Sequence, residues 1–229
     1  ANEMAFSVDS AMVLRGGGTA LYNANDCQPY QGGIDYIKAH YRIDLALLPY
    51  SGGSGYPSCY LNLDNDQKAR RAAQIRASRL ENFYAVAQDL GATWTMPFAD
   101  QYVVAGSRSH LNRFISHSSC PGVVREGFSQ KVTRSRLLLL NSGQSFDVPA
   151  QQIQPDEPYR FFTEDDRETY IREQLLDKRY DHELFALNPG VSLSRLVRHA
   201  RQRLWDYQNR RKSFPDWNVC IDIPERGER

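Results

Sequence analysis

The stretch from residue 43 to residue 59 constrains the fold of this chain more than any other. It begins Ile-Asp-Leu-Ala-Leu-Leu-Pro-Tyr and continues into a loop of glycines and serines that ends at Cys59. A short apolar run that stops at a proline and turn residues is typical of a buried strand in an α/β sheet. Ligands of such folds bind at the loops that leave the carboxyl ends of the strands. The stretch therefore predicts an α/β architecture and a candidate ligand loop.

Strand and helix patterns alternate around this stretch. Three glycines between two apolar runs favour a hairpin over a phosphate-binding loop, because no helix follows them. A long helix is predicted where apolar residues recur every three or four positions, and Gly91 supplies its C-cap. The predicted order is strand, strand, helix, strand, helix and strand, over residues 10–15, 19–22, 34–41, 43–50, 66–90 and 92–96. This alternation is the pattern of an α/β fold.

The second half of the chain is more irregular. Residues 132–141 and 146–148 predict another hairpin, with Gly143 in its turn. Three prolines and several glutamines make 147–158 the predicted linker. The remaining predicted elements are a helix that opens with a capping box, an arginine-rich helix and a closing strand, over residues 163–180, 193–212 and 217–223.

Composition narrows the classes of function. The formal net charge of +1 argues against a surface built for polyanions, and the arginines of 193–212 are interpreted as a solvated helix face rather than a nucleic-acid site. No apolar run approaches the roughly 18 residues of a membrane span, and no secretory signal is visible. The four cysteines lie far apart without a C-x-x-C pair. This spacing argues against a zinc knuckle and favours a cytoplasmic protein with reduced thiols.

Asp26 is the first candidate for metal chemistry. It follows a predicted strand, beside Asn25 and Cys27, where an α/β metallohydrolase would hold an oxygen ligand. Clusters of Asn and Asp also end strands through local hydrogen bonds, and on spacing alone this Asx-turn interpretation is favoured. Asp44, at the start of the central strand, is either a supporting carboxylate or a residue without a special role.

The loop after the central strand offers backbone amides and hydroxyls to a polar ligand. An anion or a sugar suits such a loop, although a plain flexible loop is the simpler interpretation. Ser54 does not fit a nucleophile elbow, because Tyr56 stands where that motif needs a glycine. The five histidines show no metal-binding spacing. The predicted substrate-binding residues are Ser51, Gly52, Gly53, Ser54 and Tyr56.

The order of these elements resembles the C-terminal half of the metallo-β-lactamase superfamily over residues 8–148. The resemblance rests on Asn25-Asp26-Cys27 after a hairpin, on Asp44-Leu-Ala-Leu-Leu-Pro-Tyr50 with its glycine-rich loop, and on Thr95-Met-Pro-Phe-Ala-Asp-Gln-Tyr102. The most similar branches are CMP-N-acetylneuraminate hydroxylase and the UlaG-like and N-acylphosphatidylethanolamine phospholipase D-like hydrolases.

This resemblance implies half of an αββα sandwich over residues 1–148, followed by a linker and a mostly helical extension over 149–229. It matches Asp26 with the family's metal-bridging aspartate, and Asp100 or His110 would replace a histidine ligand that this sequence lacks. The implied cofactor is a divalent zinc, manganese or iron ion. Because the family's H-x-H-x-D-H motif is not found in this sequence, an N-terminal half or a partner chain would complete the site.

The implied function is metal-dependent hydrolysis of a polar substrate that carries a nucleotide, sugar or phosphate group, through a metal-activated water. Whether the chain acts as an enzyme would depend on the half that completes the site. Two alternatives stay open. One is a component of an oxygenase like CMP-N-acetylneuraminate hydroxylase, and the other is a non-catalytic binding or scaffold half that pairs with another chain.

Overall fold

The chain divides into two compact units, one ending at Tyr180 and the other beginning at Asp181. The predicted domain boundary after residue 148 stays a prediction, and the predicted strand over 217–223 lies outside the described residues. The computed structural model describes residues 10–27, 29–98, 102–117, 120–180 and 193–212.

A five-stranded sheet forms the centre of the first unit, with its strands in chain order across the sheet. The last four strands run parallel to one another, and the first pairs with the second as an antiparallel hairpin. The prediction of an α/β fold is confirmed, and so is the hairpin at the three glycines. The strands β1 to β5 are Met12–Gly16, Thr19–Asn23, Leu45–Pro49, Trp94–Phe98 and Arg136–Leu137.

Three helices accompany this sheet: α1 (Gln31–His40), α2 (Asn65–Leu90) and α3 (Arg125–Lys131). The long helix α2 begins where Asp64 and Gln67 form a capping box, each side chain accepting the other residue's backbone N–H at 2.7 and 3.0 Å. It ends at Gly91, whose φ of 61° gives the left-handed cap that the sequence predicts.

Shorter elements complete the described chain. Two 3₁₀ helices, Gly106–Phe114 and Pro121–Val124, lie between β4 and α3. The predicted capping box at Thr163 opens α4 (Glu164–Tyr170), which continues into a π-helical turn over Ile171–Leu175. The second unit contains α5 (Leu193–Arg211), the predicted arginine-rich helix. Among the described residues, no helix is both long enough and apolar enough to cross a bilayer.

The predicted hairpin of 132–141 and 146–148 is wrong. The first of these segments contributes β5 to the main sheet, where the Leu138 N–H donates to the Thr95 carbonyl at 2.9 Å. The second segment contains β6 (Ser145–Asp147), which pairs with β7 (Gln152–Gln154) inside the predicted linker. The apolar run 137–140 gains more by joining the buried sheet than by forming an exposed hairpin. The turn at Gly143 exists, but it joins strands of two different sheets.

One face of the main sheet carries the hydrophobic core. Alternate residues of β2 and β3, such as Tyr22, Ala46 and Leu48, point to the helices and are almost fully buried. Phe83 of α2 lies among them, with its ring centroid 6.0 Å from that of Phe128 in α3. Each large side chain buried in this way contributes roughly 1.5–3 kcal/mol to folding. We call this the helix-covered face.

The other face of the sheet is also apolar but is only partly covered within this unit. Register places Leu14, Leu21, Leu45 and Trp94 in one row across the strands. The Trp94 ring packs against Phe146 of β6, with the centroids 5.2 Å apart, so the small hairpin covers one end. We call this the open face, and its large apolar residues are Met12, Leu14, Leu21, Leu45, Leu47, Trp94, Met96 and Phe98.

Candidate functional site

The loops that follow β2, β3 and β4 meet at the carboxyl edge of the sheet, because these strands are parallel neighbours. Register pairs Asn23 with Leu47 and Pro49 with Phe98, so the three strands end side by side. The described part of this edge consists of residues 24–27, 50–64 and 102–117. The predicted candidate Asp100 lies outside the described residues.

Asp26 occupies a tight turn after β2. The Asn23 side chain accepts the Asn25 N–H at 2.8 Å, and the Cys27 N–H donates to the Ala24 carbonyl at 3.0 Å. Asn25 has a φ of 52°, a left-handed conformation that asparagine tolerates better than most residues. This is the Asx turn that spacing favours, and the Asp26 side chain is exposed on it. A metal-ligand role for Asp26 stays a prediction.

The loop after β3 is folded by its own hydrogen bonds. The Ser54 hydroxyl accepts the Tyr56 N–H at 3.1 Å, and the Ser58 hydroxyl donates to the Gly55 carbonyl at 3.1 Å. Ser51 and Ser58 are buried, whereas Gly53 and Ser54 are exposed at the tip. The predicted loop residues thus lie together in an ordered turn with an exposed polar tip. Their role in substrate binding stays a prediction.

Two aromatic residues that the sequence analysis did not single out stand beside this loop. The Tyr102 hydroxyl donates to the Ser54 carbonyl at 2.9 Å, and its ring centroid lies 4.6 Å from that of His117. His117 is 2% exposed. Burial raises the pKa of Tyr102, and the nearby Cys59 raises it further, so this phenol stays protonated and able to donate. No local sequence pattern predicts this group, since its members are far apart in the chain.

A basic side chain also borders the loop. A Cβ atom placed on Gly52 would lie 3.4 Å from the Arg79 guanidinium carbon, so this α2 side chain runs alongside the loop. One turn earlier in α2, Arg76 donates to the Ile115 carbonyl at 2.8 Å and holds the 102–117 segment against the helix. Next to the exposed glycine–serine tip, the carboxyl edge therefore offers one cation, Arg79, because the Tyr102 hydroxyl already donates to Ser54 and His117 is buried. This cation and the backbone amides of the tip suit a polar, anionic ligand.

The 3₁₀ helix that carries His110 is anchored by Asn112. This buried amide accepts the Val104 N–H at 2.8 Å and donates to the carbonyls of Val104 and Ser109 at 2.7 Å each. His110 itself is exposed, with its Nδ1 atom 3.2 Å from the Ser107 carbonyl. Its predicted role as a metal ligand stays a prediction. In the described part of the chain, no group of three or more His, Cys, Asp or Glu residues could hold a metal ion.

Asp44 lies at the opposite edge of the sheet and supports the backbone. One of its carboxylate oxygens accepts the Ala20 N–H at 2.9 Å, and its own N–H donates to the Ala20 carbonyl at 2.9 Å. It therefore secures the start of β2 against β3. This position, before the strand, separates it from the loops of the carboxyl edge.

Comparison with known proteins gives partial matches. No family model and no solved structure matches the chain. A Mycobacterium tuberculosis protein named "Putative Rieske 2Fe-2S iron-sulfur protein" is 33% identical over 108 residues, which cover 45% of this chain and 20% of the relative. A Mycolicibacterium smegmatis protein of the same description is 31% identical over 94 residues, 40% of this chain and 17% of the relative. The chain thus spans about a fifth of the length of these relatives.

These matches correct the predicted function. The prediction of a metallo-β-lactamase-fold hydrolase is wrong, because the relatives are named as iron–sulfur proteins and no comparison supports that superfamily. Of the three predicted metals, iron is the one that agrees with these names. Zinc and manganese find no support.

The described residues do not fit a Rieske cluster. Such a cluster is held by two cysteines on one iron and two histidines on the other. The three described cysteines lie in different surroundings: Cys27 beside Tyr22, Cys59 beside Ser58, and Cys120 beside Tyr159. Since no set of three or more ligating side chains gathers among the described residues, this part of the chain does not supply the ligands of the cluster.

Proposed function

We propose that this chain is an α/β component of an iron–sulfur redox protein and does not itself bind the cluster. The observation that carries the proposal is the 33% identity over 108 residues to Rieske iron–sulfur proteins. This similarity supports the oxygenase alternative, a component like CMP-N-acetylneuraminate hydroxylase, better than hydrolysis. A bound Rieske cluster supplies one-electron transfer. The residues described above would bind and orient the molecule that receives the electrons.

The open face supports a role as a half that pairs with a cluster-bearing part. Exposed apolar patches of this kind mark interaction surfaces. Met12 and Leu14 are 48% and 52% exposed, and Leu21, Leu47 and Met96 are half-buried. An apolar second layer would remove these side chains from water. The cluster-bearing part, on another segment or another chain, is the proposed second layer.

The carboxyl edge supports a polar substrate site within this component. Its exposed tip, Gly53 and Ser54, offers backbone amides and a hydroxyl, and Arg79 adds a positive charge alongside. Tyr102 fixes the loop through Ser54 and places its ring on His117. A phosphate- or carboxylate-bearing substrate is the class that this set of donors would recognise.

The proposal is tested by measuring iron and acid-labile sulfide. The chain is isolated anaerobically from cells that make it in its natural context, together with any polypeptide that co-purifies. We expect about two irons and two sulfides per assembly, as one [2Fe–2S] cluster requires. The triple variant Cys27→Ser, Cys59→Ser, Cys120→Ser is expected to keep the same content, because these thiols are not the ligands.

Two results would contradict the proposal in different ways. If the assembly contained no acid-labile sulfide, the proposed iron–sulfur redox function would be wrong. Loss of the cluster in the triple cysteine variant, with folding intact by circular dichroism, would show that this chain supplies ligands. A matched triple variant at exposed serines, Ser107→Ala, Ser129→Ala and Ser145→Ala, controls for the effect of three substitutions.

A further inference from the structure

The amino edge of the sheet, opposite the candidate substrate loop, contains a cleft of about 630 Å³. It lies where β3, β4 and β5 begin and α2 ends. Its walls are formed by Lys38, residues 41–43, 90–91, Thr93 and 133–136, and Gln151. A second cleft of about 570 Å³ adjoins it, shares Tyr41 and Arg42, and extends to the β1–β2 hairpin. Each cleft is within the size range of small-ligand sites, roughly 300–1,000 Å³.

Positively charged side chains are concentrated around the two clefts. Five Lys and Arg side chains line them, although the whole chain has a formal net charge of only +1. Lys38 is paired with Asp89 at 2.5 Å. Arg136 donates to the Gln151 amide at 3.0 Å and lies over the Trp94 ring. The five are Arg15, Lys38, Arg42, Arg134 and Arg136.

Part of this charge has a structural explanation. The helices α1 and α2 both end at this edge, and each helix C-terminus carries about half a negative charge. Asp44 and Asp89 add two carboxylates. Together these groups offset about three of the five cations, which leaves an excess of about two positive charges at the clefts.

Of the five side chains, only Lys38 forms an ion pair among the described residues. Arg15 and Arg136 lie over aromatic rings. Arg42 and Arg134 have neither kind of contact among the described residues, and both line the larger cleft, where Arg134 also acts on Asp89 through its charge. Arg134 lies beside the end of α2, since a Cβ atom on Gly91 would be 3.4 Å from its Nε. Thr93 lies between the segments that carry them, since its N–H donates to the Ile43 carbonyl at 3.2 Å and its carbonyl accepts the Arg136 N–H at 3.0 Å, and it lines the same cleft. Guanidinium groups and hydroxyls in one cleft are the donors that recognise phosphate oxygens.

We propose that this amino-edge cleft binds a diphosphate group, with Arg42 and Arg134 as its principal donors and Thr93 as a further one. The inference is independent of the proposed redox function. Inorganic diphosphate and the diphosphate of a nucleotide present the same chemistry to these donors. The site lies at the opposite end of the strands from Ser54 and Tyr102, so it would be separate from the proposed substrate site.

Calorimetric titration of the full chain with inorganic diphosphate tests the proposal, with sulfate at equal ionic strength as the reference anion. We expect diphosphate to bind at least about tenfold more tightly than sulfate, because a second charged group engages the second guanidinium. ADP is titrated in parallel. Equal affinity for ADP and diphosphate would assign the site to the diphosphate group, and tighter ADP binding would assign it to a nucleotide.

The variants Arg42→Gln and Arg134→Gln, each made singly, should weaken diphosphate binding by about tenfold or more. Arg70→Gln and Arg71→Gln, at exposed arginines of α2, serve as matched controls and should change it less than about twofold. Since Arg134 borders the end of α2, folding is checked by circular dichroism, and Arg42→Gln is decisive if Arg134→Gln unfolds. Diphosphate binding no tighter than sulfate binding, or an equal loss in the control variants, would overturn the proposal.

Discussion

The two faces of the central sheet differ in what covers them, although the strands present large apolar side chains on both faces. Leu48 points to the helices and is 1% exposed, whereas its neighbour Leu47 points to the open face and is half-buried. A continuous apolar run such as 45–49 is typical of a strand that is buried on both faces. The described first unit covers the helix side of β3 and only part of the other side, where Leu45 is 6% exposed but Leu47 is half-buried. The sequence of β3 is therefore suited to a second layer of structure on the open face.

The largest difference in stability is expected between variants at two adjacent positions of β3, Leu48 and Leu47. Leu48→Ala should lower the free energy of unfolding by about 2–5 kcal/mol, because it leaves a cavity among the helices. Leu47→Ala should cost about 1 kcal/mol in the isolated chain, since a half-buried side chain loses less contact with its surroundings. Urea unfolding of both variants, followed by circular dichroism, measures the difference. Equal losses would mean that both faces are equally buried in the isolated chain.

A smaller effect is expected from polar residues on the open face. Leu21→Ser combined with Met96→Ser should cost roughly 1–2 kcal/mol in the isolated chain and should reduce its self-association. In the natural assembly, the same variant should lose much of the co-purifying cluster-bearing part. Size-exclusion chromatography and the iron content of the assembly measure these two outcomes. Ser78→Ala, at an exposed position of α2 away from the open face, is the control.

Retention of the full iron content in the Leu21→Ser, Met96→Ser variant would show that the open face does not bind the cluster-bearing part. The redox proposal would survive that result, because it rests on sequence similarity to iron–sulfur proteins. The assignment of the cluster-bearing part as the second layer on the open face would then be wrong.

The smallest effect concerns the helices that cover the sheet. A hydrogen bond from Lys38, and a second from Gln31, hold the pKa of Asp89 below its usual 3.8. The lowered pKa means that this pair stabilises the fold above about pH 4, and that its contribution is lost as the pH falls through the lower folded-state pKa. Both side chains of the ion pair are about one-third exposed, so we expect less than about 1 kcal/mol.

Asp89→Asn should therefore lower the urea midpoint more at pH 7 than at pH 3, because the contribution of the ion pair shrinks as the pH falls below 3.8 towards the lower folded-state pKa. Asp156→Asn, at an exposed site away from these helices, is the matched control. If Asp89→Asn lowered stability equally at both pH values, the ion pair would not be the source of the effect.

Much of the fold followed from local patterns. The hairpin at residues 16–18, the Gly91 cap of α2 and the strand after that helix all depend on neighbouring residues. The pairing of β5 with β4 did not follow from them, because the competing hairpin at Gly143 had the same local signals. Choosing between these pairings requires the burial of Leu138 against the sheet, which is a long-range contact.

The candidate site likewise combines features that are encoded locally with features that depend on long-range contacts. The Asx turn at Asp26 could be predicted, since it is closed by bonds within a few residues. The order of the loop after β3 could not, because its glycines and serines favoured a plain flexible loop, whereas the structure closes it by hydrogen bonds of its own. The contact of Tyr102 with Ser54, and of its ring with His117, joins segments that are distant in the chain. The hydrolase prediction failed for another reason. It came from a resemblance in the order of elements, and the same order suits more than one chemistry.

The sequence by itself determined the α/β alternation, the C-terminal end of α2 and the place of the loop after β3, because turn residues and periodic apolar residues are encoded locally. Only the tertiary structure decided which face of the sheet the helices cover, which aromatic residues stand over the loop, and where the arginines of the amino edge converge. These features depend on packing between distant segments. In the apolar run 45–49 the pattern marks both faces for burial, and only the folded chain shows that Leu47, on the open face, is the residue left half-buried.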